Sequence, residues 1–234
     1  MNDVQQLVSI SLSFTLVLLA ARVFYTETVI YFFYPWNLFL ALVPVLFSGL
    51  LLKQRTLNYK SILLLGLWLL FLPNAPYLIT DIFHFEERPP VPFWFDLMLV
   101  VSGAWNGILL CMISLFRIER FLKTACTPRL TDKIMPLIIF LCGYGVYIGR
   151  YLRYNSWDIV TEPVDILRTS THHVHHPFQN LNVWLFTFVF AFFLGIIYFT
   201  IKKLPRAMLT PDGFKFYVQI RNQTQVRNKM WQGL

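Results

Sequence analysis

Six stretches of the chain are almost unbroken runs of apolar side chains, separated by short polar connections. They cover roughly residues 7–25, 36–52, 61–80, 92–116, 134–152 and 183–201. About 20 apolar residues in helical form cross a ~30 Å hydrocarbon layer, and the runs match that length. They are too long, and too uniform from one residue to the next, to be strands of a closed barrel. The pattern predicts an all-α, polytopic membrane helix bundle of about six transmembrane helices over residues 1–204. A polar, basic tail at 205–234 follows it, carrying a Pro211-Asp212-Gly213 turn signal. The first run is preceded only by Asp3 and lacks a small-residue cleavage site, so it reads as a retained span and not a signal peptide.

Composition agrees. The 234 residues are 56% hydrophobic and 14% charged, with mean hydropathy +0.55, whereas soluble domains are about a quarter charged. A net charge of +8 would suit nucleic acid, but its distribution excludes that partner. Lys53, Arg55 and Lys60 follow the second run; Arg117, Arg120, Lys123, Arg129 and Lys133 follow the fourth. Lys202, Lys203, Arg206, Lys215, Arg221, Arg227 and Lys229 follow the sixth. Fifteen of the 20 basic residues therefore fall on one side of the bundle, which is the signature of the cytoplasmic face. Both termini are expected there. The other face receives Glu27, Asp81, Glu86, Glu87, Asp158, Glu162, Asp165 and all five histidines. The three cysteines, Cys111, Cys126 and Cys142, give no disulfide framework.

The third run carries an interruption, PNAPYLITDIFHF (Pro73–Phe85). Pro73 and Pro76 each remove an N–H and clash with the preceding turn, so the helix should kink or unwind there. In lipid the freed carbonyls need partners in protein or in a water-filled cavity, and Asn74 brings donors. Asp81 and His84 follow at once. Asp96 opens the fourth run, where a carboxylate at membrane depth usually faces the interior with a partner. Gly103 and Gly107, and Gly145 and Gly149, have GxxxG spacing, which predicts close packing of the fourth and fifth helices.

The fifth run ends in GRYLRYNSWD. Arg150 and Arg153 sit opposite the basic loops, so something must offset them; Asp81, Asp96 and Asp158 are the acids at similar depth. One reading is an ion-pair network that locks helices together. The other is an anion site, because guanidinium forks match carboxylate and phosphate. Farther along, Pro163 and Pro177 would bound a short helix. On it Asp165, His172 and His176 would lie within roughly 40° of one another. Such a set suits a divalent metal such as zinc; an exposed histidine-rich loop is the simpler alternative.

The two motifs together, PNAPYLITDIFHF and GRYLRYNSWD, resemble those of a bacterial integral membrane family catalogued as domain of unknown function 1361. The resemblance spans the second to the sixth run. It points to Pro73, Asn74, Pro76, Tyr77, Thr80, Asp81 and His84, and to Gly149, Arg150, Arg153, Asn155, Trp157 and Asp158. It implies a bacterial cytoplasmic membrane and no particular activity; the HHVHH run is outside the pattern.

These readings converge on an outward-facing polar pocket that recognises or acts on an anionic lipid or cell-envelope precursor. Asn74, Asp96, Arg150, Arg153, Asn155 and Trp157 would bind it. Asp81, His84 or Asp158 would act as general acid or base if chemistry follows. The alternatives are a non-catalytic assembly partner and a transporter component. A transporter should show a polar path through the inner half, where only Asn106 and Ser114 stand.

Overall fold

The computed structural model of the protein describes residues 3–28, 30–31 and 33–208. Most of the basic tail expected at 205–234 lies outside them. The helices are α1 (Asp3–Thr26), α2 (Phe33–Leu51), α3 (Tyr59–Phe71), α4 (Asn74–Tyr77), α5 (Phe93–Ala125), α6 (Pro128–Tyr151), α7 (Asp158–Thr161), α8 (Pro163–His175) and α9 (Leu181–Met208). A 3-10 turn, Leu78–His84, joins α4 to the loop before α5. No strand occurs among the described residues. Six segments are long and apolar enough to cross a membrane: Val4–Thr26, Phe33–Leu51, Tyr59–Phe83, Phe93–Ala125, Pro128–Tyr151 and Leu181–Leu204. The chain divides into two compact units, Met1–Ala191 and Phe192–Leu234. In the second, the described residues are the rest of α9, where the Lys202 ammonium lies 5.4 Å from the Tyr198 ring centre.

α5 is the axis of that unit. Two-thirds (67%) of its most apolar window is buried, against 17% for α1, so α5 is surrounded by protein where α1 faces lipid. Polar side chains bind α1 to it. Asn106 Nδ2 donates to Thr15 Oγ1 (2.8 Å) and to the Ser11 carbonyl (3.1 Å). Thr15 in turn donates to Ser102 Oγ (2.9 Å). Deeper in, the Trp68 indole donates to Ser114 Oγ (2.6 Å), which donates to the Pro44 carbonyl (3.2 Å). Such bonds hold helices together in lipid, where apolar faces alone have no preference for one another. The fourth span was expected to end near residue 116, with a basic loop beyond. Instead α5 continues to Ala125, because Ile118, Phe121 and Leu122 prolong its buried stripe and Glu119 pairs with Lys123 one turn on (2.7 Å).

The third span is broken where the prolines predict. α3 starts on a capping box between Asn58 and Ser61 and ends at Phe71. Pro76 cannot donate to the Leu72 carbonyl, and the Ala75 N–H takes that acceptor instead (3.2 Å). The Asn74 amide then donates to the Phe71 carbonyl (3.0 Å), and Ser156 donates to the Leu70 carbonyl (3.3 Å). The carbonyls of Leu70, Phe71 and Leu72 at the break are thus met inside the protein.

The GxxxG expectation requires correction. The glycines of α5 and α6 do not bring those helices together; they make room for the broken segment and for α2. A Cβ on Gly107 would overlap the Ala75 carbonyl oxygen, one on Gly145 the Pro73 ring, and one on Gly103 the Tyr34 ring. Small residues permit close approach without specifying the neighbour, and here the neighbour is the α3–α4 break.

Candidate functional site

The polar residues gather where α1 ends, α2 begins, the 3-10 turn runs and α6 stops. Arg150, in the last turn of α6, has an 11% exposed side chain. Its Nη1 donates to Asp81 Oδ1 (3.1 Å) and to the Tyr77 hydroxyl (3.1 Å), and its Nη2 donates to the Thr80 carbonyl (2.8 Å). The guanidinium carbon also lies 5.2 Å from the centre of the Tyr77 ring. The 3-10 geometry makes this set possible: its tight winding brings Tyr77, the Thr80 carbonyl and Asp81 to one side of the turn.

A second pair, missed by sequence reasoning, lies beside it. Asp96 was expected to meet Arg150 or Arg153. It meets Arg22, from the last turns of α1, at 2.7 Å through Nε and 3.3 Å through Nη2. Both side chains are sealed from solvent (3% and 2% exposed). Arg22 Nη1 donates to Thr26 Oγ1 (2.6 Å) and Thr28 Oγ1 (3.3 Å). Tyr31 lies against the second pair, its ring centre 5.6 Å from the Arg22 guanidinium and 5.3 Å from that of Arg88. Burial, then the Asp96 charge, raises the Tyr31 phenol above its ordinary pKa, with Arg88 and Arg22 opposing. A usable signal existed. The five basic residues outside the fifteen on the basic side are Arg22, Arg88, Arg150, Arg153 and Arg168, all arginine and none lysine.

Asp158 reaches neither arginine of its motif. Its Oδ2 accepts the Asn155 N–H (2.6 Å) and shapes the turn before α7. Of the three acids expected to offset Arg150 and Arg153, Asp81 alone does so. Arg153 is exposed and has no acidic partner among the described residues. It adopts φ 63°, the left-handed conformation usually left to glycine at a helix C-terminus. For a side chain bearing a Cβ this costs roughly 1–2 kcal/mol, and such strain collects at functional positions.

Three cavities meet around Tyr77. One of ≈ 430 Å³ is lined by Tyr31, Tyr34, Tyr77, Asp81, Arg88 and Arg150, among others. A second, ≈ 360 Å³, is lined by Tyr77, Gly149, Arg150, Arg153 and Asn155. The third, ≈ 260 Å³, includes Trp36, Asn74, Gly149, Asn155 and Ser156. Asn74 is tied to Ser156 (2.7 Å), and Trp157 packs edge-on to Trp36, ring centres 6.2 Å apart. The His84 side chain lies outside the described residues.

The histidine run occupies the end of α8, bounded by Pro163 as expected. His172 and His176 have ring centres 4.9 Å apart, but His176 caps the helix at φ −120°, ψ 60° and so leaves the helical register. Among the described residues no three His, Cys, Asp or Glu side chains converge as metal ligands; Asp165 stands in the first turn of α8. His173 is buried, its Nδ1 3.0 Å from the Tyr144 hydroxyl. Burial, then neighbouring His172, lowers its pKa from 6.5.

Six membrane-length helices with buried ion pairs at one end define a multi-pass helical membrane protein. The chain belongs to the DUF1361 family, described as "Protein of unknown function", whose model matches residues 36–197. That span includes both motifs and stops short of Arg22, Tyr31 and Tyr34. No curated protein and no solved structure matches the chain.

Proposed function

We propose that the Arg150 end binds an anionic headgroup, of a lipid or cell-envelope precursor, from the leaflet opposite the basic loops. The protein would then sit in a bacterial cytoplasmic membrane with both termini inside. The observation that carries this reading is the contrast between two arginines on one cavity. Arg150 is held rigid by Asp81, Tyr77 and Thr80, while Arg153 stands exposed and strained at the rim. A fixed guanidinium beside an uncommitted one suits a phosphate-type group, and the Asn155 amide on the same wall adds a donor. Asp158 accepts the Asn155 N–H and Asp81 Oδ1 is held by Arg150, which favours recognition over acid–base chemistry.

The test compares lipids retained by the native chain and by Arg153→Gln, read by native mass spectrometry from phosphatidylcholine nanodiscs doped with phosphatidic acid. The native chain should enrich phosphatidic acid and the variant should not. Equal retention by both would overturn the anion reading.

The assembly-partner reading draws on the second ion pair, since Arg22 and Asp96 satisfy each other and join α1 to α5. A transporter draws less support. Asn106 and Ser114, the inner-half polar residues, are both bonded to neighbouring helices. A divalent metal such as zinc at Asp165, His172 and His176 is a separate proposal. It rests on the His172–His176 spacing and requires side chains to draw together; elemental analysis of untagged protein tests it.

A further inference from the structure

The ≈ 430 Å³ cavity lined by Tyr34, Asp81 and Arg150 has chemistry that an anion does not satisfy. Three buried polar atoms on residues of its wall have no hydrogen-bond partner among the described residues: the Tyr34 hydroxyl, Asp81 Oδ2 and Arg150 Nε. Tyr34 is wholly buried, its ring fixed in the notch that Gly103 leaves, and the Asp81 side chain is 5% exposed. Leaving such groups unmet is costly, and native proteins seldom do so.

The three atoms restrict what can meet them. A carboxylate only accepts, so the ligand must bring an O–H or N–H. A guanidinium only donates, so the ligand must also bring a lone pair, and a phenol can do either. A bare anion offers nothing to Asp81 and is repelled by it. An ammonium offers nothing to Arg150 and meets the positive charges of Arg150 and Arg88. A hydroxyl group serves both sides at once. Most of the remaining wall is aromatic, with Tyr31, Phe33, Tyr77 and Phe85 beside Asn37, Arg88 and Val100, and aromatic faces suit the C–H surface of a sugar ring. We infer that this cavity is a subsite for an uncharged, hydroxyl-rich group of the glycosyl or polyol class, with Tyr34, Asp81 and Arg150 as its hydrogen-bonding residues. It stands on different atoms from the anion reading, and the two together would describe a headgroup bearing both a phosphate and a sugar or polyol.

Tyr34→Phe is the discriminating variant, because it keeps the ring beside Gly103 and removes a hydroxyl that bonds to none of the described residues. The full chain is placed in phosphatidylcholine nanodiscs doped with equal traces of glucosyl-diacylglycerol and phosphatidic acid. Bound lipid is read by native mass spectrometry. The native chain should enrich the glucosyl lipid over phosphatidylcholine. Tyr34→Phe should reduce that enrichment about five-fold, the effect of one neutral hydrogen bond, with phosphatidic acid retention and the unfolding midpoint undiminished. Displacement by methyl glucoside would assign a free sugar as the source, and persistence of the glycolipid a lipid headgroup. No enrichment, or equal enrichment by native and variant, overturns the inference. So does a lowered midpoint in Tyr34→Phe, which would make the hydroxyl structural. The anion reading fails separately, through phosphatidic acid retention that is indifferent to Arg153→Gln.

Discussion

Breaking the Arg22–Asp96 pair should be among the most destabilising changes available to this protein, and the loss should depend on which partner is removed. Both side chains are at most 3% exposed, so solvent screens neither charge. Removing one partner of a buried pair generally costs about 3–5 kcal/mol, mostly because the other charge is left uncompensated. Asp96→Leu leaves Arg22 with two threonine hydroxyls and the face of Tyr31, and should fall near the low end, about 3 kcal/mol. Arg22→Met leaves Asp96 with the Tyr31 phenol as its remaining neighbour, and should fall near the high end, about 5 kcal/mol. The double variant removes both charges and replaces them with apolar volume. Its cost should be no more than about 1 kcal/mol, since apolar replacement of a buried pair is often neutral or better. Reversible unfolding of the four proteins in mixed micelles, arranged as a double-mutant cycle, gives the coupling directly. Additive single effects, or a double variant as poor as the worse single, would refute the placement of Arg22 against Asp96.

Four further outcomes test other parts of the structure. Gly107→Ala should lower stability by about 2 kcal/mol, because its Cβ meets the Ala75 carbonyl oxygen and Leu78. Gly66→Ala, with open space around it, should be neutral in the same unfolding assay. Asn74→Ala should cost about 1–2 kcal/mol through loss of the bonds to the Phe71 carbonyl and Ser156, read as a lower unfolding midpoint. For His173, whose folded pKa lies below 6.5, the unfolded chain takes up the proton first as pH falls. Its stabilisation is complete above that value and is lost as pH drops through it. Protection of the α8 amides, taken relative to the intrinsic exchange rate at each pH, should fall between pH 7.5 and 5.5, and His173→Asn should show a smaller fall.

Local chemistry was legible in the sequence; pairings across the bundle were legible only in part. Span positions follow from hydropathy, and the break in the third span follows from what two prolines do to any helix. Asn74 as a donor to freed carbonyls follows from the same local logic. Arg150 announced itself by lying opposite the basic loops, and Asp81 was its correct partner. Arg22 did not, because one arginine at the end of a long apolar run looks like a span boundary, and its acid is 74 residues away. Asp158 was misleading: its nearest demand is the Asn155 N–H three residues back, which no charge count reveals. The α5 extension was hidden because RIERFLKT reads as a basic connection until the buried row of Ile118, Phe121 and Leu122 is seen against its neighbours. Tyr34 carried no signal at all, since its meaning depends on Gly103 and Asp81 standing opposite it.

The two ion pairs also constrain how the chain is made. Each joins residues far apart in order of synthesis, 74 residues for Arg22 and Asp96 and 69 for Asp81 and Arg150. During insertion, α1 therefore carries an unmatched guanidinium until α5 arrives, and the third span carries an unmatched carboxylate until α6 arrives. Spans bearing such charges are poorly held by lipid alone, so the early helices remain provisional in the nascent chain. The Asp81 pair can form only when the fifth span delivers Arg150. A chain arrested before that point should be held by the insertion machinery or cleared by membrane proteases, which makes α6 a checkpoint in biogenesis as well as a wall of the site.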